Sequence, residues 1–148
     1  MTQRARVFLD TSALFAGIWS GAGGARMILK LGEAEAIQIW VGPQVLKEAE
    51  AVVRRKAPAA LPDLALLLDR SGVQVGPPAK RAILRRSRAL INHPGDAHVL
   101  AEAWTAGVGF FVTLDREHFL ENQPLRAEAP FQLGTPGDFL AWFRDSLL

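Results

Sequence analysis

Short apolar runs alternate along the chain with longer stretches of helical period. "ARVFLD" at 5–10 reads as a buried strand, and "SALFAGIW" at 12–19 as a helix beginning just after it. Glycines in "GAGGARMILKLGEAEA" permit a loop before a second helix, and "IQIWV" supplies a strand that stops at Gly42. Pro43 suits a first helical position, so "PQVLKEAEAVVRRK" continues as helix. "LPDLALLLDRSG" gives another helix and "VQV" a short third strand. A basic helix around "AKRAILRRSRALI", a break at "NHPG", a helix "DAHVLAEAWTAG" and a strand "FFVT" follow. A hairpin or strand near "FQL" precedes the closing helix "PGDFLAWFRDSLL". This alternation predicts an α/β fold with a central, mostly parallel sheet and helices on both faces. Ligands in such folds collect beyond the carboxyl ends of the strands, where the strand order switches. Asp10 and Asp115 each stand just past a strand and are expected there.

Composition narrows the chemistry. With 148 residues, 49% of them hydrophobic, the chain suits one domain with its own core, spanning 1–148. It has no cysteine, which removes disulfides, thiolate zinc sites and cysteine nucleophiles. No apolar run reaches membrane-spanning length and "MTQRAR" leads straight into a strand, so a cytoplasmic protein without a membrane partner is expected. The net charge is only +2, yet the cations are bunched as Lys80, Arg81, Arg85, Arg86 and Arg88, and again as Arg54, Arg55 and Lys56. Either they guide a polyanion such as RNA, or they keep an amphipathic helix wet.

Four acids carry the candidate chemistry, and each has a plain structural explanation beside it. Asp10 caps the following helix or joins a site; Thr11 and Ser12 could share the cap. Glu48 falls three residues after Val45 and four before Val52, on the inward stripe, whereas Glu50 groups with Lys47 and Arg54 on a solvated face. Asp96 opens a helix, where free N–H groups favour a carboxylate, but Val99, Leu100 and Ala103 put it above the apolar face. Asp115 ends "FFVTLD" and starts a turn or short helix. Converging to about 6 Å, each ionised pair would repel by roughly 3 kcal/mol at an effective dielectric of about 20. Either protonation or a divalent cation must then neutralise them, and oxygen-only ligands suit Mg²⁺ or Mn²⁺. His98 and His118 lie near these acids in sequence and read as surface or packing residues rather than ligands.

"FLDTSAL", "GPQVLKEAEAVV", "PGDAHVLAEAWTAGVGFFVTLDREHF" and "TPGDFLAWF" together make the chain resemble PIN-domain proteins, among them the VapC-like toxin nucleases of toxin–antitoxin systems. The resemblance implies a Rossmann-like α/β/α sandwich and a Mg²⁺- or Mn²⁺-dependent ribonuclease. Asp10, Glu48, Asp96 and Asp115 match the family's acidic cluster, and Ser12 and Thr113 match hydroxyls that support it. The chain departs from the pattern at Leu114, where glycine is common. The mechanism expected is hydrolysis of an RNA phosphodiester by water activated over one or two divalent cations. Arg81, Arg85, Arg86, Arg88, Arg54 and Arg55 are the candidate RNA contacts.

The last helix carries Phe139, Leu140, Phe143 and Leu147 at helical spacing, with Trp142 beside them. This stripe docks on the chain's own core or, where exposed, serves a homodimer contact or an antitoxin groove as the resemblance implies. Two rivals remain. Haloacid-dehalogenase-like phosphatases also place an aspartate after a strand, but usually with a second one two residues later, where Ser12 stands. A PIN-like module could also serve binding or assembly without catalysis.

Overall fold

A computed structural model describes residues 3–148, and the strands it contains form one five-stranded sheet. These are β1 (Ala5–Leu9), β2 (Ile37–Val41), β3 (Gln74–Val75), β4 (Phe110–Val112) and β5 (Gln132–Gly134), in the order β3-β2-β1-β4-β5. Every pairing is parallel, so the last strand joins as a parallel edge and not as half of a hairpin. β1 lies at the centre, covered on both sides, which is why Val7, Phe8 and Leu9 are all apolar and fully buried. The edge strand β3 keeps only two residues, both exposed.

The helices are α1 (Thr11–Trp19), α2 (Gly24–Glu33), α3 (Pro43–Lys56), α4 (Leu61–Arg70), α5 (Arg81–Leu90), α6 (Pro94–Ala106), α7 (Gln123–Glu128) and α8 (Pro136–Ser146). A 3-10 turn at Pro58–Ala60 precedes α4, and one π-helical turn at Arg116–Leu120 follows β4. Pro43 is indeed the first residue of α3. α6 begins two residues earlier than the sequence suggests. Pro94, with its preset φ, is its first residue and His93 is the N-cap. Asp96 therefore sits inside the first turn instead of capping it.

Phe111 ties the core together, stacking on Phe8 at 5.4 Å, Phe119 at 4.9 Å and Phe131 at 5.6 Å. The closing helix docks on this core through Phe139, which is fully buried against Phe110, while Leu140 and Phe143 pack at its margin. Leu147 lies beyond the contact and is exposed. At the far end of α6 the chain turns at Gly107, whose φ of 70° favours glycine. Arg6 donates to the carbonyls of Ala106 and Gly107 there, a cation at the negative end of the helix. Among the described residues no helix is long and apolar enough to cross a membrane.

Candidate functional site

Since β1 and β4 are neighbours and parallel, their carboxyl ends open at one edge. β1 leads on to β2 and β3 on one side, and β4 with β5 lies on the other, so that edge is the switch point of the sheet. The sheet ladder itself continues into the site. The Asp10 N–H donates to the carbonyl of Val112 at 3.1 Å, and the Thr113 N–H to that of Gly134 at 3.0 Å. Both residues are thus fixed by backbone before any side chain acts.

Asp10 is 5% exposed and accepts three hydrogen bonds. Its Oδ1 accepts from the Ala13 N–H at 2.9 Å and from the Ser12 hydroxyl at 2.7 Å. Its Oδ2 accepts from the Thr113 hydroxyl. The Asp10 carboxylate thus caps α1, as its position allows, and does so at the strand ends where a site is expected. Burial pushes its pKa up to about 6, against the lowering effect of its hydrogen bonds and with added repulsion from Asp115. Thr113, fully buried, also accepts from the Asp115 N–H at 3.0 Å and so links the first acid to the last.

The inward stripe of α3 delivers Glu48. Its Oε2 accepts from the Thr11 hydroxyl at 2.6 Å, and its Oε1 from the Gln44 side chain at 2.9 Å. Glu50 is exposed, as its place among cations requires. Asp115 caps the π-helical turn, its Oδ1 accepting from the His118 N–H at 3.1 Å. Leu114 needs no positive φ. Its N–H donates to the Ser12 hydroxyl at 3.0 Å, so the turn aims Asp115 without glycine.

His118, expected as a surface or packing residue, lies between two of the acids. Its Nδ1 lies 3.0 Å from Asp115 Oδ2 and 3.1 Å from Asp96 Oδ2. One ring proton between two carboxylate oxygens satisfies only part of their charge. Ligand atoms of Asp96, Asp115 and His118 all lie within 4.8 Å of one another, close enough for one cation. The side chains are 27%, 28% and 30% exposed, so water reaches them. The hydrogen bond that the His118 ring donates to Asp115 raises the His118 pKa, helped by the charges of Asp115, Asp96 and Glu117 and opposed by burial. Partial burial raises that of Asp96; His93 and His118 counter it, while Asp115 and Glu48 add to it.

His93 was also missed. Its Nδ1 lies 3.2 Å from both the Asp96 N–H and Asp96 Oδ2. The nitrogen cannot serve both, since accepting from the N–H requires the lone pair and donating to the carboxylate requires a proton there. A third overlooked group is Glu102, only 2% exposed on α6. Its Oε1 accepts from the Gln44 N–H at 2.9 Å, and Gly42 is glycine because a Cβ there would collide with this carboxylate. Burial lifts the Glu102 pKa to about 7, with a further push from Glu48. Gln44 thus couples Glu102, through its backbone, to Glu48, through its side chain.

The expected cations divide. Arg81, Arg85 and Arg88 are exposed on α5, which leads into the first turn of α6. Arg86 is partly occupied, stacked 4.9 Å over Trp104 and 3.8 Å from Glu128. Arg54 and Arg55 end α3 about 9 Å along its axis from Glu48, at 1.5 Å per residue. There they complement the helix dipole.

A parallel sheet with acids at its switch point defines a class, and comparison with known proteins places the chain within it. A family profile described as PIN domain matches residues 6–117, and the chain belongs to that family. Among solved structures, the fold is shared with a chain of VapBC2 from Rickettsia felis bound to a promoter DNA fragment, at 17% identity and a TM-score of 0.65, covering 86% of this chain and 96% of that one. DNA-bound VapBC from Salmonella typhimurium gives 14% identity and 0.66, covering 89% and 98%. PAE2754 from Pyrobaculum aerophilum gives 21% and 0.57, covering 95% and 90%. No curated protein sequence matches the chain.

The donor set fits a hard divalent cation. Two carboxylates within reach of one another, with a third buried beside them, offer oxygen ligands; a single imidazole adds a borderline one. Among the described residues nothing resembles a closed tetrahedral zinc cage.

Proposed function

We propose that the chain is a Mg²⁺- or Mn²⁺-dependent endoribonuclease and the toxin of a toxin–antitoxin pair. The observation that carries the reading is the gathering of Asp96, Asp115 and His118 within 4.8 Å, beside the buried Asp10, at the strand ends of a PIN-domain sheet. Asp96 and Asp115 would hold the cation, with Asp10 offering the unused lone pair of Oδ2. A bound divalent cation supplies acidification of a water and neutralisation of charge on the phosphodiester.

The chain's own residues do the rest. Thr113 and Ser12 hold the Asp10 oxygens in place, and Thr11 and Gln44 hold those of Glu48. Carboxyl groups kept in place before substrate arrives need no rearrangement during the reaction. His118, its Nδ1 facing both carboxylates, is placed to hold or release a proton at the edge of the cluster. Arg81, Arg85 and Arg88 offer the RNA backbone a cationic approach along α5.

The partner belongs to the same reading. A groove of about 490 Å³ between α1, α2, α3 and α4 leaves Trp19 and Leu66 more than half exposed, with Arg70 and Asp63 also lining it and Arg26 tied to the carbonyls of Ser20 and Ile18. Such a surface fits the apolar face of an amphipathic segment of an antitoxin. The test of the central activity is incubation of the protein and its Asp10→Asn variant with mixed RNA, with and without Mn²⁺, followed by mapping of cleavage ends. Cleavage that needs the cation and is lost in the variant supports the reading; undiminished cleavage by the variant refutes it.

A further inference from the structure

A second cavity adjoins the acidic cluster. It is a cleft of about 460 Å³ between the end of α5, the start of α6 and the π-helical turn. Leu90 and Pro94 supply apolar surface, His93 and His118 one wall, and Asn92 and Glu117 exposed polar groups. The two imidazoles form a partition, with centroids 5.4 Å apart and planes at 43°. Their Nδ1 atoms are engaged with Asp96 and Asp115 while the rings line the cleft. Asn122 holds this wall in shape. Its side-chain amide donates to the carbonyls of Leu90 at 2.9 Å and His118 at 3.0 Å, and its Oδ1 accepts from the Leu125 N–H at 3.1 Å. One side chain thereby fastens α5, the π-helical turn and α7 to each other.

We propose that this cleft is a nucleobase subsite, taking the base of a nucleotide next to the scissile phosphate, with guanine preferred; the inference rests on the nuclease reading above. Proteins read single-stranded RNA by stacking unstacked bases on side chains that include histidine, and by hydrogen-bonding the exposed base edges. The cleft has the size of a small-ligand pocket, with apolar surface from Leu90, Ile91 and Pro94 beside its polar groups. Its wall is shared with the acids, so a base lying against the imidazoles leaves its own phosphate at the cluster. Glu117, when ionised, only accepts hydrogen bonds, whereas the Asn92 amide both donates and accepts. Guanine presents adjacent N1–H and N2–H donors to a carboxylate and an O6 acceptor to an amide. Uracil presents a single donor, and adenine and cytosine present no such adjacent pair.

The experiment uses the full chain, metal-free in chelator, and follows the ring resonances of His93 and His118 while GMP, AMP, CMP, UMP or inorganic phosphate is added. GMP is expected to shift both histidines saturably, binding about tenfold more tightly than UMP, the discrimination of one good bidentate contact. In the Glu117→Gln variant, whose fold is checked from the remaining resonances, that preference should collapse while weak binding to all bases survives. Silent histidines, equal shifts with inorganic phosphate alone, or a GMP preference untouched by Glu117→Gln overturn the proposal. A wild-type protein that binds GMP this way but cuts no RNA sinks the nuclease reading and leaves the base site standing.

Discussion

The two halves of the acidic site are built differently. Around Asp10 the groups are buried or half-buried and paired: Ser12, Ala13 and Thr113 donate to one carboxylate, and the sheet ladder fixes its backbone. Around His118 the groups are about 30% exposed, and two carboxylates compete for one ring nitrogen. The first half is scaffold, held by the central strand of the sheet. The second stands on the first turn of α6 and a π-helical turn, elements whose side chains face water and a neighbouring cleft. The contrast assigns different work to acids of the same chemical type. On the proposed reading, Asp10 would be the rigid acid of the cation site, and Asp96, Asp115 and His118 would form its open, water-reached side.

Removing charge from the open half should have the largest effect. Asp96→Asn combined with Asp115→Asn is expected to lower RNA cleavage by about 10³-fold, on the order of 4 kcal/mol of transition-state stabilisation. The same double variant should melt within a few degrees of wild type when metal-free, because these side chains contribute little to the core. A large drop in melting temperature would show that the open half is structural.

Next in size, Thr113→Val should strike the buried half. It leaves Asp10 Oδ2 and the Asp115 N–H without their shared partner. The expected cost is about 1–3 kcal/mol, read by urea denaturation. Cation affinity should fall about 10–100-fold, as when the groups that orient ligands are removed.

A smaller effect distinguishes the halves by pH. Asp10 has its pKa raised from 3.8 to about 6, so the folded state binds this proton more tightly than the unfolded one. Its contribution to stability is complete below pH 3.8 and is lost as pH rises through about 6. Glu102, raised from 4.5 to about 7, acts with the same sign one window higher. Metal-free Asp10→Asn should therefore gain in melting temperature relative to wild type as pH rises from 4 to 7. Glu102→Gln should gain between 5 and 8. A difference that stays flat with pH would contradict the burial argument for these carboxylates. Smallest of all, Arg85→Ala with Arg88→Ala should reduce the salt slope of RNA binding by about 0.7 for each single-strand phosphate that these arginines neutralise. Filter binding at several salt concentrations measures it.

How much of this was readable in the chain follows the same division. Asp10 and Asp115 stand at strand ends, and strand-end acids in an α/β chain point to one place. Glu48 was visible by helical period. The same rule applied to α6 would have found Glu102, three residues after Val99 and four before Ala106. His118 carried a weaker signal, lying three residues after Asp115, because nothing in its neighbours announces a π-helical turn. The start of α6 was misplaced because "NHPG" looks like a break, whereas Pro94 is preset for the first turn and the His93 ring nitrogen accepts from Asp96 in place of the usual hydroxyl or carboxylate cap. Elements fixed by apolar period and acids at strand ends were legible; the ring nitrogens of His93 and His118, set by local cap and turn geometry, were not.

The most direct test is calorimetric titration of Mn²⁺ into metal-free wild type, Asp10→Asn, and the Asp96→Asn, Asp115→Asn double variant. Convergence of these acids on one cation predicts saturable binding to wild type, weaker binding to Asp10→Asn, and none at millimolar Mn²⁺ for the double variant. Equal binding isotherms for all three proteins would contradict it.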